Sequence, residues 1–206
     1  MQRCFLVGAA PGALRIAPQP GDFIVAADGG CDHLGCWDIA PDLIVGDMDS
    51  IIGDLPSNIL NVTVPAEKDD TDLMLAFNEG YRRGFRYFIF TGASGGRMDH
   101  SMANLQLLIK AAKLGAIAVM QDEAFSATAL VGPGELRLRG TGTVSVFAYG
   151  EQATGVTIKG MKYNIEQETL HGDTPRGVSN ELAGEGSITV GQGILLIFWE
   201  TGVEHI

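Results

Sequence analysis

Two aspartates that follow a short apolar run are the clearest candidates for metal ligands in the sequence. Asp47 and Asp49 come after Leu43-Ile44-Val45 and lie two residues apart. In extended backbone, side chains two residues apart point to the same side, so the two carboxylates would lie close together and repel each other. A hard divalent cation relieves that repulsion, which favours a metal site over a solvated loop with incidental acids.

A second cluster, Asp28-Gly29-Gly30, follows the apolar run from Phe23 to Ala27. Two glycines after a strand allow a close backbone approach and a turn into a helix, whose N-terminal amides can bind an anion. The alternative is a tight turn in which Asp28 only caps that helix.

The segment Glu67-Lys68-Asp69-Asp70-Thr71-Asp72 directly precedes an amphipathic helical pattern. Acidic residues are favourable at a helix N-terminus, so capping alone would explain some of them. The number of aspartates and the added lysine exceed what capping requires. We therefore predict that Asp72 is a further metal ligand, and that Lys68 and Thr71 reach phosphate oxygens.

A glycine-rich loop, Thr91 to Gly96, leads into Arg97 and the start of another helical pattern. One guanidinium can bind a phosphate through two parallel hydrogen bonds. Asp99 opens the helix, so an N-cap role competes with a ligand role. His100 is expected to pack or to support the site rather than to act as a base.

Together these clusters indicate phosphate-transfer chemistry, because carboxylate-bound metal with an arginine and a lysine serves that purpose. The sequence contains no Gly-x-x-x-x-Gly-Lys-Ser/Thr motif and no Gly-x-Gly-x-x-Gly after the first apolar run. P-loop kinases and Rossmann dinucleotide enzymes are therefore excluded.

The hydrophobic pattern predicts the elements that position these clusters. Apolar runs without polar alternation are typical of strands buried on both faces; they are Cys4–Val7, Phe23–Ala27, Leu43–Val45, Tyr87–Phe90 and Ile117–Met120. Apolar stripes predict helices over 70–83 and 99–114, the second with Met102, Leu105, Leu108, Ile109 and Ala112 on its buried face. The fold class is therefore α/β, beginning with a doubly wound, mostly parallel sheet whose strand ends carry the four clusters.

After residue 122 the pattern changes to short, alternating strands separated by glycines. Period-two alternation at 143–149 and 155–159, followed by runs at 187–190 and 193–199, predicts an antiparallel β-sandwich. We expect a first domain over 1–122 and a β-sandwich domain over 123–206.

The overall composition limits the partners. Among 206 residues, 14 Lys and Arg against 25 Asp and Glu give a net charge of −11, which disfavours nucleic-acid binding. Apolar runs fall far short of the roughly 20 residues of a membrane span. Three cysteines favour a reducing compartment, so a cytoplasmic protein is predicted. We expect Cys31 and Cys36 to be buried as small side chains rather than bound to zinc.

In this order, the clusters resemble those of the thiamin pyrophosphokinase family. The similarity extends over Ala27–Gly30, Pro41–Ile51, Lys68–Leu73, Gly95–His100 and Ala103-Asn104, then over Gly160–Tyr163, Glu168–Leu170 and Gly177–Glu181. The resemblance implies transfer of a pyrophosphoryl group from ATP to the thiamin hydroxyl, with Mg²⁺, to give thiamin diphosphate and AMP. It also implies a homodimer with active sites between subunits, in which residues 1–122 bind ATP and metal and residues 123–206 bind thiamin.

The resemblance further implies a role for each matched residue. The metal ligands are Asp47, Asp49 and Asp72, with Asp28 close by; Arg97 and Asp99 complete the catalytic set. ATP is bound by Asp28, Gly29, Gly30, Lys68, Thr71 and Arg97. Thiamin lies against Tyr163, and Ser179 and Asn180 contact its pyrimidine.

Two other interpretations remain open at this point. Leu43 to Asp49 also looks like the strand and Asp-x-Asp start of a haloacid-dehalogenase-type phosphatase, which forms an aspartyl phosphate. A binding module without catalysis would need the acidic clusters but not Arg97. Phosphate release without thiamin would indicate the phosphatase.

Overall fold

The computed structural model describes residues 1–46, 60–63 and 70–206, which form two compact units. The first comprises Met1–Leu107 with Gly115–Glu123, and the second comprises Leu108–Leu114 with Ala124–Ile206. None of the helices in these described ranges is long and apolar enough to cross a membrane.

The first unit is built on a parallel sheet of six strands. In chain order they are β1 (Cys4–Val7), β2 (Phe23–Ala27), β3 (Leu43–Gly46), β4 (Leu60–Thr63), β5 (Tyr87–Thr91) and β6 (Ile117–Gln121). They lie in the order β6-β5-β1-β2-β3-β4, and every neighbouring pair is parallel. Five of these strands match the predicted apolar runs, and β1 and β5 are buried over almost their whole length. The prediction of a parallel α/β sheet is therefore confirmed.

The order of these strands reverses at one point, between β1 and β5. From β1 the chain adds β2, β3 and β4 on one side, then returns to place β5 and β6 on the other side. The chain therefore leaves β1 and β5 in different directions to form their next strands, and a crevice is expected beyond the carboxyl ends of the two strands. Open α/β sheets bind their ligands at such a reversal.

In the part of the chain that the structure describes, three helices accompany the sheet: α1 (Gly30–Trp37), α2 (Asp72–Arg82) and α3 (Met98–Lys113). Helices α2 and α3 were predicted to within two residues of their observed ends. A helix was expected after Gly29-Gly30 without stated bounds, and strand β4 was not predicted. Helix α2 buries Leu73 and Phe77, as its apolar stripe predicts. The stripe predicted for α3 is wrong at its start, because Met102 is 46% exposed. The completely covered side chains of α3 lie further along, from Leu107 to Ala111.

The core of the first unit lies on both faces of the sheet. On one face Phe5, Val7 and Ile44 pack with Leu34 of α1. Cys31 packs against this cluster as a small side chain, as predicted, but Cys36 is exposed, so the expectation of burial is wrong for that residue.

The second unit is antiparallel and is organised around one long strand. Its strands are β7 (Phe125–Val131), β8 (Gly134–Met161), β9 (Ile165–His171), β10 (Gly177–Val190), β11 (Gln192–Glu200) and β12 (Val203–His205). Strand β8 spans 28 residues and pairs with β9, β10, β11 and β12. The antiparallel prediction is confirmed, but the two runs expected at 143–149 and 155–159 belong to this single strand.

Strand β10 pairs with both arms of β8. Ile188 lies opposite Leu136 in the first arm and opposite Ile158 in the second. The bends occur at glycines with positive φ, among them Gly150 (φ 90°) and Gly155 (φ 65°), where other residues would be strained. These glycines turn the strand without ending its pairing, which is why the pattern suggested separate strands.

Candidate active site

A cavity of about 380 Å³ lies in the first unit at the crevice between the ends of β1 and β5. Its walls come from four chain segments: the loop after β1, the end of β2, the start of α2, and the loop after β5 with the beginning of α3. The lining residues used below are Gly8, Ala10, Asp28, Thr71, Asp72, Gly92, Ala93, Arg97, His100 and Asn104.

The loops that follow β1 and β5 touch each other at two glycines. The backbone N–H of Gly8 donates to the carbonyl of Thr91 over 2.9 Å, and the N–H of Ala10 donates to the carbonyl of Gly92 over 2.9 Å. A Cβ on Gly8 would lie 2.5 Å from the oxygen of Gly92, and a Cβ on Gly92 would lie 2.3 Å from the oxygen of Gly8. Only glycine allows this approach. The importance of Gly8 was missed, although its position directly after a buried strand was a usable signal.

The second cluster builds the turn between β2 and α1. Asp28 has a positive φ of 50°, and its N–H donates to the carbonyl of Val45 over 2.8 Å. The N-cap of α1 is Gly29, so the helix is not capped by the Asp28 side chain. A Cβ on Gly30 would lie only 1.9 Å from the oxygen of Val7. The glycines therefore bring α1 against β1 and leave Asp28 at the cavity wall.

Helix α2 begins at the cavity. Thr71 is its N-cap, and the Oγ1 of Thr71 accepts a hydrogen bond of 3.3 Å from the N–H of Met74. Thr71 therefore caps α2. Its hydroxyl can still donate a hydrogen bond into the cavity. Asp72 follows in the first turn and also lines the cavity. The positive end of the helix dipole lies here and favours a bound anion.

Arg97 lines the cavity and is paired with Asp99. Its Nε and Nη2 donate to the two carboxylate oxygens of Asp99 over 3.1 and 2.5 Å. The side chains are 70% and 65% exposed, so water screens the pair and a stronger anion can compete for the guanidinium. The hydrogen bonds from Arg97 lower the pKa of Asp99 to about 2. Asp99 lies in the first turn of α3, after Met98 has begun the helix.

His100 was expected either to pack or to support the site. It is exposed, so it does not pack in the core, and it lines the same cavity as Arg97. It is the third residue of α3.

The glycine-rich loop is anchored by hydrogen bonds to Asp122, a residue that was not selected from the sequence. Asp122 follows β6, is 4% exposed, and accepts a hydrogen bond of 2.8 Å from the N–H of Gly92. The hydroxyl of Ser94 donates to its other oxygen. The Nδ2 of Asn104 donates to the carbonyl of Ala93 over 2.7 Å. The signal that could have found Asp122 is its position at the end of a buried strand.

Three predicted site residues lie outside the described residues: Asp47, Asp49 and Lys68. Strand β3 ends at Gly46, directly before Asp47, and β3 is the neighbour of β2 in the sheet. Within residues 1–46, 60–63 and 70–206, no group of three His, Cys, Asp or Glu side chains is arranged to hold a metal ion.

The predicted substrate residues Tyr163, Ser179 and Asn180 lie in the second unit. Asn180 is 5% exposed, and its Oδ1 accepts hydrogen bonds of 2.9 Å from the N–H groups of Tyr163 and Glu181. Its Nδ2 donates to the carbonyl of Tyr163 over 2.8 Å. Asn180 therefore fixes the backbone of Tyr163, whose side chain is 59% exposed.

Two neighbours complete this surface of the second unit. The Nζ of Lys162 lies 5.4 Å from the centre of the Tyr163 ring and is also 2.6 Å from a carboxylate oxygen of Glu181. Ser179 has a positive φ of 58°, and its N–H donates to the hydroxyl of Ser145 over 3.0 Å. The Tyr163 ring thus already lies beside the ammonium group of Lys162, which is the kind of contact that an aromatic face makes with a cation.

Comparison with known families gives a match for both halves of the chain. A model described as "Thiamin pyrophosphokinase, catalytic domain" matches residues 19–120. A model described as "Thiamin pyrophosphokinase, vitamin B1 binding domain" matches residues 135–195. The chain belongs to the thiamin pyrophosphokinase family. The family expected from the sequence is confirmed, as is its enzyme class, and the phosphatase and binding-module alternatives lose their support.

Individual members of the family are similar along most of the chain. Thiamine pyrophosphokinase of Bacillus subtilis strain 168 is 29% identical over 140 residues, which are 66% of this chain and 65% of that protein. The sequence alignment thus spans slightly less than two thirds of the curated relative. The crystal structure of thiamine pyrophosphokinase from Bacillus subtilis superposes with a TM-score of 0.88 at 23% identity, over 97% of this chain and 99% of the other. A thiamin pyrophosphokinase family protein from Enterococcus faecalis gives a TM-score of 0.83 at 26% identity, over 97% and 99%.

Proposed function

We propose that the chain is a thiamin pyrophosphokinase, which transfers a pyrophosphoryl group from ATP to the hydroxyl of thiamin and releases AMP and thiamin diphosphate. The observation that carries this proposal is the cavity at the reversal of the strand order. There Asp28, Asp72 and Arg97, from three different segments, line the same cavity, at which α2 begins with the positive end of its dipole. Carboxylates for a metal and a guanidinium for phosphate are what pyrophosphoryl transfer requires.

The residues at this cavity fit a divalent cation. Asp28 and Asp72 supply carboxylate oxygens, and Asp47 and Asp49 follow β3, the neighbour of β2. Oxygen ligands of this kind are the preferred donors of Mg²⁺. We assign Asp47, Asp49 and Asp72 as the metal ligands, with Asp28 close by. When bound, Mg²⁺ neutralises charge on the phosphate oxygens.

The residues of the chain bind and orient ATP. We assign the nucleotide to the part of the cavity at which α2 begins, with Gly29 and Gly30 in the adjoining turn after Asp28. The Thr71 hydroxyl and Lys68 are assigned to phosphate oxygens. Arg97 leaves its exposed pair with Asp99 to bind a phosphate with two hydrogen bonds, because a multiply charged phosphate attracts it more strongly than one carboxylate does. Asp99 is then free of Arg97 and supports the site or holds the substrate.

In the transfer step, the thiamin hydroxyl attacks the β-phosphorus in line with the departing AMP. The new bond joins the thiamin oxygen to phosphorus, and the bond to the α-phosphate oxygen breaks, so that AMP leaves. Arg97 neutralises the charge that develops on the phosphate oxygens. A loose transition state of this kind requires little help from a base.

We assign thiamin to the second unit, taken as a β-sandwich domain over 123–206. Tyr163 offers an aromatic face to the cationic thiazolium, and Ser179 lies beside it to contact the pyrimidine. Asn180, also assigned to the pyrimidine, holds the backbone of Tyr163 in position through its own hydrogen bonds. The working enzyme is a cytoplasmic homodimer whose active sites lie between subunits.

The test is the formation of AMP from ATP and Mg²⁺ with and without thiamin. We expect AMP only when thiamin is present, with an equal amount of thiamin diphosphate, and we expect chelation of the metal to abolish both. Asp49→Asn should reduce turnover strongly at saturating Mg²⁺. Phosphate release that is independent of thiamin would refute the proposal in favour of a phosphatase.

A further inference from the structure

A buried aspartate below the glycine-rich loop has no part in the chemistry assigned so far. Asp122 lies directly after β6, at the carboxyl end of the sheet, and is 4% exposed. Its carboxylate is turned away from solvent and accepts hydrogen bonds from the loop over residues 92–94. A buried carboxylate is costly, so it requires donors that satisfy it.

The donors come from consecutive residues of the loop. The N–H of Gly92 donates to Oδ1 over 2.8 Å, and the hydroxyl of Ser94 donates to Oδ2. Burial raises the pKa of Asp122, while the hydrogen bond from Ser94 and the backbone N–H groups of Gly92, Ala93 and Ser94 lower it. The loop is thus wrapped around this carboxylate with its amides turned towards it.

This wrapping has a consequence for anion binding. Amides that point at Asp122 are not available to a phosphate in the cavity, so the loop does not act as an amide cradle. The loop also makes the backbone contact between Gly92 and Gly8. It then continues through Gly95 and Gly96 into Arg97. The loop therefore serves the cavity by placing Arg97.

We propose that Asp122 is a positioning residue for ATP: by binding the loop over residues 92–94, it holds Arg97 at the cavity wall. The inference rests on the proposed function, because it takes the Arg97 side of the cavity to be the phosphate side. Asn104 holds the same part of the loop from α3, because its side chain donates to the carbonyl of Ala93. Loss of Asp122 frees the first part of the loop and leaves the N–H of Gly92 buried without its acceptor.

The experiment compares three variants with a matched control. Asp122→Ala removes the acceptor, Ser94→Ala removes one hydrogen bond, and Asp122→Asn keeps an acceptor for Gly92 and places a donor opposite the Ser94 hydroxyl. The control is Asp22→Ala, since the Asp22 side chain is also 4% exposed but binds Arg3, away from the cavity. Each variant is measured for the KM of ATP, the KM of thiamin, the Kd of ATP by calorimetry, and thermal stability.

For Asp122→Ala we expect the KM and Kd of ATP to rise by about 10-fold or more, because Arg97 is no longer held where its charged hydrogen bonds reach a phosphate. The KM of thiamin should not change. Ser94→Ala should show a smaller rise, and Asp122→Asn should restore most of the affinity. Asp22→Ala should lose stability while both KM values stay at the wild-type level.

A purely structural role would give a different result. It would lower the folded fraction, and hence kcat, while leaving the affinity for ATP unchanged. A folded Asp122→Ala with wild-type Kd and KM for ATP would overturn the inference; if that variant does not fold, an unchanged Kd in Ser94→Ala would overturn it. If the wild type binds ATP but forms no AMP with thiamin, the proposed function fails, and the Kd comparison still decides the role of Asp122.

Discussion

The closest approach between α1 and the sheet provides a sharp test of the fold around the cavity. Gly30 begins α1 and is buried, and a Cβ at this position would lie 1.9 Å from the carbonyl oxygen of Val7 and 2.6 Å from its carbonyl carbon. Contacts shorter than 3.0 Å do not occur for real Cβ atoms, so Gly30→Ala must separate the helix and the strand by about 1.1 Å. Strand β1 is paired with β2 on one side and β5 on the other, so it cannot yield.

The magnitude follows from this geometry and from a control in the same helix. Overpacking against fixed backbone costs about 3 kcal/mol, the upper part of the usual range. Gly35 lies in the exposed face of α1, and a Cβ there meets nothing within 4 Å. Gly35→Ala should therefore stabilise the protein by about 0.5–1 kcal/mol, because alanine is the better helix former. The two alanine variants should differ by close to 4 kcal/mol in the free energy of unfolding.

The assay is urea unfolding followed by circular dichroism, with thermal melts as a second measure. For a chain of this size the two variants should differ in Tm by about 10 °C. The reasoning is refuted if Gly30→Ala is as stable as wild type, since β1 and α1 would then not be in backbone contact. It is also refuted if Gly35→Ala is destabilised to the same extent. The loss of stability would then come from placing alanine anywhere in α1, and not from the contact between Gly30 and Val7.

Three further predictions concern the site. Arg97→Ala should lower the rate of AMP formation by about 100-fold or more, and the pKa of Asp99, followed by NMR, should rise from about 2 towards 3.8; an unchanged pKa would contradict the ion pair. Asn180→Ala should cost about 1–3 kcal/mol of stability and raise the KM of thiamin but not that of ATP, whereas equal rises in both would argue against its hold on Tyr163. Burial raises the pKa of Asp122 above 3.8, so its stability contribution is complete below pH 3.8 and is lost as the pH rises through the folded pKa. The stability of wild type relative to Asp122→Asn should thus fall over that window in urea unfolding, and a parallel pH dependence of the two proteins would contradict the shift.

Most of the first unit could be predicted from the sequence because its strands are buried on both faces. Continuous apolar runs such as Cys4–Val7 and Phe23–Ala27 coincide with β1 and β2. A helix after Gly29-Gly30 was expected, but the bounds of α1 were not predicted, because the helix is short and contains two glycines, which are poor helix formers. The stripe predicted for α3 included Met102 because periodicity gives a face but not the point along the helix where burial begins.

The site residues that could be predicted are those whose type and spacing in the sequence indicate their chemistry. Asp28, Asp72 and Arg97 follow strand ends or begin helices, and they line one cavity. Gly8 and Asp122 were not selected, because their roles depend on which strands are neighbours. Only the placement of β1 beside β5, and of β6 beside β5, brings them to the loop that carries Arg97.

The pairing of β10 with both arms of β8 sets an order of folding for the second unit. Residues of β10 contact partners on either side, as Ser187 does with Arg137 and Lys159, so the two arms cannot be joined until the chain has been synthesised past β10. Contacts between residues far apart in sequence form slowly, because a long loop must close before they contribute. During translation the arms of β8 therefore emerge as unpaired edges that need protection from aggregation. Tyr163 lies two residues after β8 and Asn180 lies within β10, so the hydrogen bonds between them form only when β10 has joined β8.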